Sequence, residues 1–348
     1  MSNSVELRKV QITGRSTFTI SLPKYWATDV GLKPGSQLAL IPQEDMSLRI
    51  VPRGEFKPEE VKEAFLDVIS KMDPEALIRN FIAYYLTGFD MIRVGFAQQT
   101  LKHRTILKET ARRKLMGVEV IEESASGMTA QCLLGYRDLP VDKALSRMSV
   151  LVSSMHEDVL NALKNLDHDL ASEIVERDNE VDRFYFFIVR QLKNAVQNRA
   201  MIEEIGLSSP LHCLGYRLIV KSTERVADHA ARIAQTILMM DKPVDDELQK
   251  EITDMNTLAR QIYDDSFKAL YRQDEHLAQK TIAKTKQATE YEERVIGKML
   301  SMKISADTVG KLRLILESIR RIAEYGADIA EIVLNLTIEG KSLEKPHT

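Results

Sequence analysis

KSTERVADHAARIA, Lys221–Ala234, carries the clearest architectural signal in the chain. Ile219, Thr223, Val226, Ala230, Ile233 and Ile237 fall at helical spacing and form one apolar stripe, so the segment is an amphipathic helix with a core face. Glu224 and Asp228 are four apart, one turn from each other, and lie nearly opposite that stripe. Upstream, ERDNEVD at Glu176–Asp182 repeats the device: Asp178 and Asp182 flank a stripe of Val181, Tyr185, Ile188 and Leu192. Like charges at this spacing cost roughly a few tenths of a kcal/mol in an isolated helix. Two such pairs on successive helices call for a reason. If the helices are neighbours, Asp178, Asp182, Glu224 and Asp228 converge on the outside of the bundle, and four oxygen donors without cysteine suit Mg²⁺, Mn²⁺ or iron. His229 adjoins the pair and could add an imidazole. The plain alternative is an ordinary acidic surface neutralised by Arg177, Arg183, Arg225 and Arg232.

Working outward, the chain from Pro140 onward is almost wholly helical in pattern. Val141–Leu166, Asp167–Met201 and Leu211–Met240 form one set of three, and Leu248–Tyr271, Glu275–Met302 and Ala306–Leu336 form a second. The sets are an internal repeat. Leu170-Ala171 recurs as Leu277-Ala278, and Ser222–Ala234 recurs as Ser318–Ala330 with Arg225, Ala227, Ile233 and Ala234 returning as Arg321, Ala323, Ile329 and Ala330. Two three-helix bundles in tandem, at 140–241 and 242–340, are the simplest architecture. The acidic pairs do not recur. Arg320 stands where Glu224 does, Glu324 replaces Asp228, and Thr285 and Thr289 replace Asp178 and Asp182. A metal site of this type is therefore expected in the first bundle only.

Upstream, residues 54–139 read as a small α+β segment. A helix is expected over 55–71, from Val61, Phe65, Val68 and Ile69, and another from Asp73-Pro74 to Leu86 before Gly88. A strand at Phe89–Phe96, a basic helix at Leu101–Met116 and strands at Val118–Ile121 and Met128–Leu134 follow. That helix carries Lys102, His103, Arg104, Lys108, Arg112, Arg113 and Lys114, for which a solvated face is the plain reading and anion or DNA contact the sharper one. Residues 1–53 alternate short strands around one helix, Lys24–Val30, which Pro23 opens and Gly31 stops. So small a unit has little core, and dimerisation is a common remedy.

The formal charge of −3 divides unevenly: seven basic and four acidic side chains in residues 1–53 leave +3 there and −6 beyond. A basic head on an acidic body is consistent with one end meeting nucleic acid. No apolar run reaches the ~18 residues needed to span a bilayer, and MSNSVELRKV lacks the apolar core of a signal peptide. Cys132 and Cys213 are too few for a disulfide framework or a cysteine zinc site. A cytoplasmic protein without membrane insertion is expected. No base and no phosphate-cradling glycine loop points to an enzyme.

Two resemblances add to this reading. Leu7-Arg8-Lys9-Val10, Gly14-Arg15, Thr19–Lys24 and Gly31-Leu32-Lys33-Pro34-Gly35 resemble the AbrB-type swapped-hairpin DNA-binding domain. That implies two chains interlocking hairpins, with Arg8, Lys9, Arg15 and Lys24 placed against DNA phosphates. Pro140–Leu336 resembles the PhoU family of phosphate-uptake regulators, most closely at Glu224–Ala230 and Asp178–Asp182. The family implies multinuclear iron or zinc at such motifs. It also implies action on a phosphate ABC transporter ATPase or its signalling kinase, restraining uptake. The pairing of the two resembles an archaeal arrangement. The expectation is a mainly α homodimer or higher oligomer, a DNA-binding, metal-responsive regulator. An adaptor that docks the transporter without DNA is the alternative, and a metal-dependent phosphohydrolase the third.

Overall fold

The computed structural model describes residues 6–14, 16–42, 46–52, 61–198 and 200–343. They form two compact units that divide between Val61 and Lys62.

In the first unit β1 (Gln11–Thr13) pairs antiparallel with β2 (Thr17–Thr19), and β3 (Leu38–Pro42) with β4 (Leu48–Pro52). The helix α1 (Lys24–Asp29) lies between them in sequence, running on from Pro23, with Gly31 just beyond its end in the left-handed region. The alternation of short strands around one helix after Pro23 is as expected, the helix ending one residue earlier than Val30. Little of the unit is buried within one chain: Ile12 is 65% exposed and Phe18 73%.

The second unit opens with β5 (Glu63–Val68) where the sequence predicts a helix over 55–71. Of that range, residues 55–60 lie outside the described residues. Over 63–68 burial alternates: Ala64, Leu66 and Val68 are buried while Phe65 is exposed. Period two, not the apparent helical spacing of Phe65, Val68 and Ile69, is what packs, and the parallel pairing with β6 (Met91–Phe96) enforces it. Between them runs α2 (Pro74–Thr87), started by Asp73, whose carboxylate accepts from Ala76 N–H, and stopped by Gly88 at φ 96°. A side chain at Gly88 would collide with Asn194. Then come α3 (Leu101–Lys114), β7 (Val118–Glu123) and β8 (Gly127–Cys132), giving a sheet of order β5-β6-β8-β7.

One face of this sheet packs on α2 and α3 around Phe81, Tyr85, Leu107, Ile92 and Val94. Both helices pack in turn against α5 (His168–Gln197). Arg190 of α5 is 2% exposed and fixes this junction. It donates to the carbonyls of Tyr85 and Phe89 at 2.6 and 2.8 Å and to Asp90 at 2.8 Å, against the Tyr85 ring. Of the three phenylalanines on α5, Phe186 joins the core of the sheet unit, whereas Phe184 and Phe187 join that of the bundle.

The helices α4 (Val141–Asn165), α5 and α7 (His212–Leu238) pack on one another, with the short α6 (Ala200–Glu204) in the α5–α7 connection. α8 (Asp246–Arg272), α9 (Glu275–Ser301) and α10 (Ala306–Leu343) form the second set. The repeat extends to the caps: Asp167 accepts from Leu170 N–H and Asp274 from Leu277 N–H, each at 2.9 Å. One continuous core runs through both sets, because α7 packs on α10 and α4 on α8. The α4–α8 contact has near two-fold character. His156 meets Asn256 at 2.6 Å, while their repeat counterparts, Tyr263 and Ser149, meet as Tyr263 hydroxyl donating to the Ser149 carbonyl at 3.4 Å. No helix among the described residues is long and apolar enough to cross a membrane.

Candidate functional site

The stripe predicted on α7 is the buried one. Ile219, Thr223, Val226, Ala230, Ile233 and Ile237 are each 2% exposed or less. With α5 packed alongside, Asp178, Asp182, Glu224 and Asp228 are brought together. They are less superficial than the sequence implied. Glu224 is buried at 8% exposure on the flank that α5 covers, Asp178 and Asp182 are half-buried, and only Asp228 reaches the solvent rim. The α helix angle explains the difference: Glu224 sits one step round from Asp228, toward the neighbour.

Burial, then the charges of Asp228, Asp182 and Glu224, push the Asp178 carboxyl up to about 7, and Lys114 opposes them. Burial also raises Asp182, again against Lys114. It raises Glu224 against the hydrogen bond from Lys221, and Asp228 against Lys221, Arg232 and Arg225. These are carboxylates held together against their repulsion, with lysines as the nearest relief. Lys221 Nζ stands 2.6 and 2.5 Å from the two Glu224 oxygens and 5.1 Å from the Tyr185 ring centroid. Lys114 arrives from the end of α3, a helix of the sheet unit.

The donor set is chemically suited to a hard cation, and Asp178 Oδ1 is buried without a hydrogen-bond partner. As placed, the side chains are not closed round a cation. Among the described residues, no three His, Cys, Asp or Glu side chains are grouped so that they could hold a metal ion. Glu224 is engaged by Lys221 through both oxygens. His229 is not a further ligand here: it is 9% exposed and turned toward α10, its ring 5.8 Å from that of Tyr325, and burial lowers it to about 4.

The second bundle carries its own cation, as its sequence implies. Arg320 Nε lies 2.7 Å from Glu292 of α9 and its Nη1 bonds Glu324, which also accepts from Arg321 at 2.7 Å. Both bundles thus balance their carboxylates with side chains of the same chain. Lys221 had a signal in the sequence, three residues before Glu224. Lys114 had none, because nothing local links it to residues 178 and 182. The rest of its helix is only partly a solvated face: Lys108 and Arg104 reach Glu123, and His103 bonds the Met72 carbonyl at 2.8 Å.

The residues assigned to DNA lie in the other unit. Arg8, Lys9 and Lys24 are exposed, Arg8 being paired with Glu6 at 2.8 Å, and Arg15 lies outside the described residues.

Comparison with known proteins gives one consistent answer. A family model described as the PhoU domain matches residues 145–237 and 252–333, once in each bundle. The phosphate-specific transport system accessory protein PhoU homolog 1 of Thermotoga maritima is 24% identical over 223 residues, which are 60% of this chain and 90% of that protein. The homolog of Clostridium acetobutylicum is 21% identical over 210 residues, 58% and 91% of the two. The crystal structure of PhoU from Pseudomonas aeruginosa superposes with a TM-score of 0.52 at 20% identity, over 57% of this chain and 96% of that one. The phosphate transport system regulatory protein PhoU of Streptococcus pneumoniae gives 0.50 at 19%, over 59% and 96%. At these identities the structures speak for the fold alone.

Proposed function

Because this chain belongs to the PhoU family, we propose that it is a regulatory accessory protein of a phosphate transport system, with the tandem helical body as its working part. The observation that carries this is the repeat itself: the family model matches each three-helix set in turn, on one shared core. The accessory role named for the relatives, rather than any catalytic one, supports a protein that acts by docking. The partner proposed is the transporter ATPase or its signalling kinase, and the effect is restraint of uptake. Deleting the chain is expected to raise phosphate uptake in phosphate-replete cells, and the purified protein to capture the ATPase. Unchanged uptake together with no capture would overturn the proposal.

We propose two finer roles as well. The head is a dimerisation module with DNA contact through Arg8, Lys9, Arg15 and Lys24; what supports it is the apolar surface that one chain leaves bare, Ile12, Phe18, Ile20 and Leu40 among it. A gel shift that weakens with salt tests the DNA contact. The second is a divalent or multinuclear metal (iron, zinc, Mg²⁺ or Mn²⁺) at Asp178, Asp182, Glu224 and Asp228. The unpartnered Asp178 oxygen supports it, and the cation would have to displace Lys221 from Glu224. Elemental analysis decides it: metal lost in Asp182→Ala/Asp228→Ala sustains the reading, and metal absent from the native chain removes it.

A further inference from the structure

Leu211, Leu214 and Leu218 follow one another at intervals of three and four and share the outer edge of α7. They are 49, 64 and 57% exposed. The same spacing continues through Lys221, Arg225, Asp228, Arg232 and Gln235, directly opposite the core stripe. α5 covers one flank of the helix, where Arg217 bonds the Tyr185 hydroxyl at 2.9 Å. α10 covers the other, where Gly215 lies against Leu336 and Ile332 and Arg225 lies over the Tyr325 ring. The edge between them is left bare. Val196 near the end of α5 and Ile338 near the end of α10, 58 and 56% exposed, stand at the same end of the bundle as the leucines.

We propose that this edge is a docking seam for an amphipathic helix of a partner protein, apolar where it meets the three leucines and carboxylate-bearing where it meets Arg225. Three exposed leucines in heptad spacing are a seam, not the scatter of single apolar residues common on surfaces. Charge decides the rest of the partner. Among the described residues neither Arg225 nor Arg232 closes an ion pair: both act at longer range on Asp228, the single acid on the edge, and Arg225 also on Asp328 of α10, which leaves the edge with an excess of positive charge. A second copy is a poor occupant. Paired in parallel it stacks Arg225 on Arg225; paired antiparallel about Leu214 it leaves Lys221 and Arg225 beyond the start of the opposing helix. A bilayer fits less well than a helix, because the apolar residues form a line prolonged by charges, not a broad face.

The test uses the full chain and a fluorescein-labelled synthetic helix of about three heptads, with leucine at a and d and glutamate at those positions in one terminal heptad. Fluorescence anisotropy is expected to show binding that Leu211→Ser/Leu214→Ser/Leu218→Ser weakens at least ~10-fold with an unchanged melting curve. Arg225→Glu is expected to weaken it severalfold, and Leu300→Ser, on exposed α9 surface, to leave it alone. Binding unaffected by the triple substitution overturns the seam, as does insensitivity to Arg225→Glu. Conversion of a native dimer to monomer by the triple variant assigns the edge to a second copy and overturns it too. So does leucine-dependent flotation with anionic vesicles in place of peptide binding. The seam rests on the accessory reading only in taking the helix to come from the transport system. ATPase capture that survives the triple substitution refutes the seam alone; lost capture with peptide binding intact refutes that reading alone.

Discussion

Asp178 is the residue at which spacing and burial say different things. Spacing four from Asp182 makes it half of an acidic pair; packing of α5 on α7 makes it a carboxyl raised to about 7, first by burial and then by Asp228, Asp182 and Glu224. The unfolded chain has an ordinary carboxyl near 3.8. Between those values the folded state holds the proton that the unfolded state has lost, so stability from this group falls as pH rises from about 4 to about 7. Asp178→Asn is therefore expected to stabilise the fold at pH 8 by an amount on the order of 1–2 kcal/mol after solvent screening, read as a higher melting temperature, and to change little near pH 3, below both values. A melting temperature lowered at pH 8 would mean that a cation satisfies the carboxylate there. None of this was legible from the pair alone, because desolvation is set by helices far away in the sequence.

At the scale of elements, boundaries were legible wherever a local chemical device sets them. Asp73, Asp167 and Asp274 each cap a helix with a side-chain oxygen, and Gly88 ends one in the left-handed region. β5 was not legible, since only its pairing with β6 selects period two over a competing helical spacing. The crossing of α8 and α10 was equally hidden. Gly326 lies so close to α8 that a Cβ would stand 3.0 Å from Ile262 Cγ2 and from Tyr263 N. Gly326→Val is expected to cost about 1–3 kcal/mol by forcing the helices apart, read as a lower midpoint in chemical denaturation. An unchanged midpoint would show that the crossing is not tight.

For the whole molecule, the division between Val61 and Lys62 makes a clean prediction. A chain beginning at Lys62 is expected to melt cooperatively, since the sheet unit and both bundles carry their own cores, while losing self-association and any DNA retardation. Light scattering on the two forms checks it: a truncated chain that stays dimeric would move the dimer contact into the helical body. The mainly helical body, its tandem repeat, the core stripe of α7 and the loss of the acidic pairs from the second copy follow from the order of residues alone, because periodicity, caps and residue identity are local properties. Long-range packing sets the rest: Lys114 faces the carboxylates of α5, Arg190 fixes the sheet unit to the bundle, and one edge of α7 is left bare. Those depend on which surfaces exclude water from one another, and no local spacing records that.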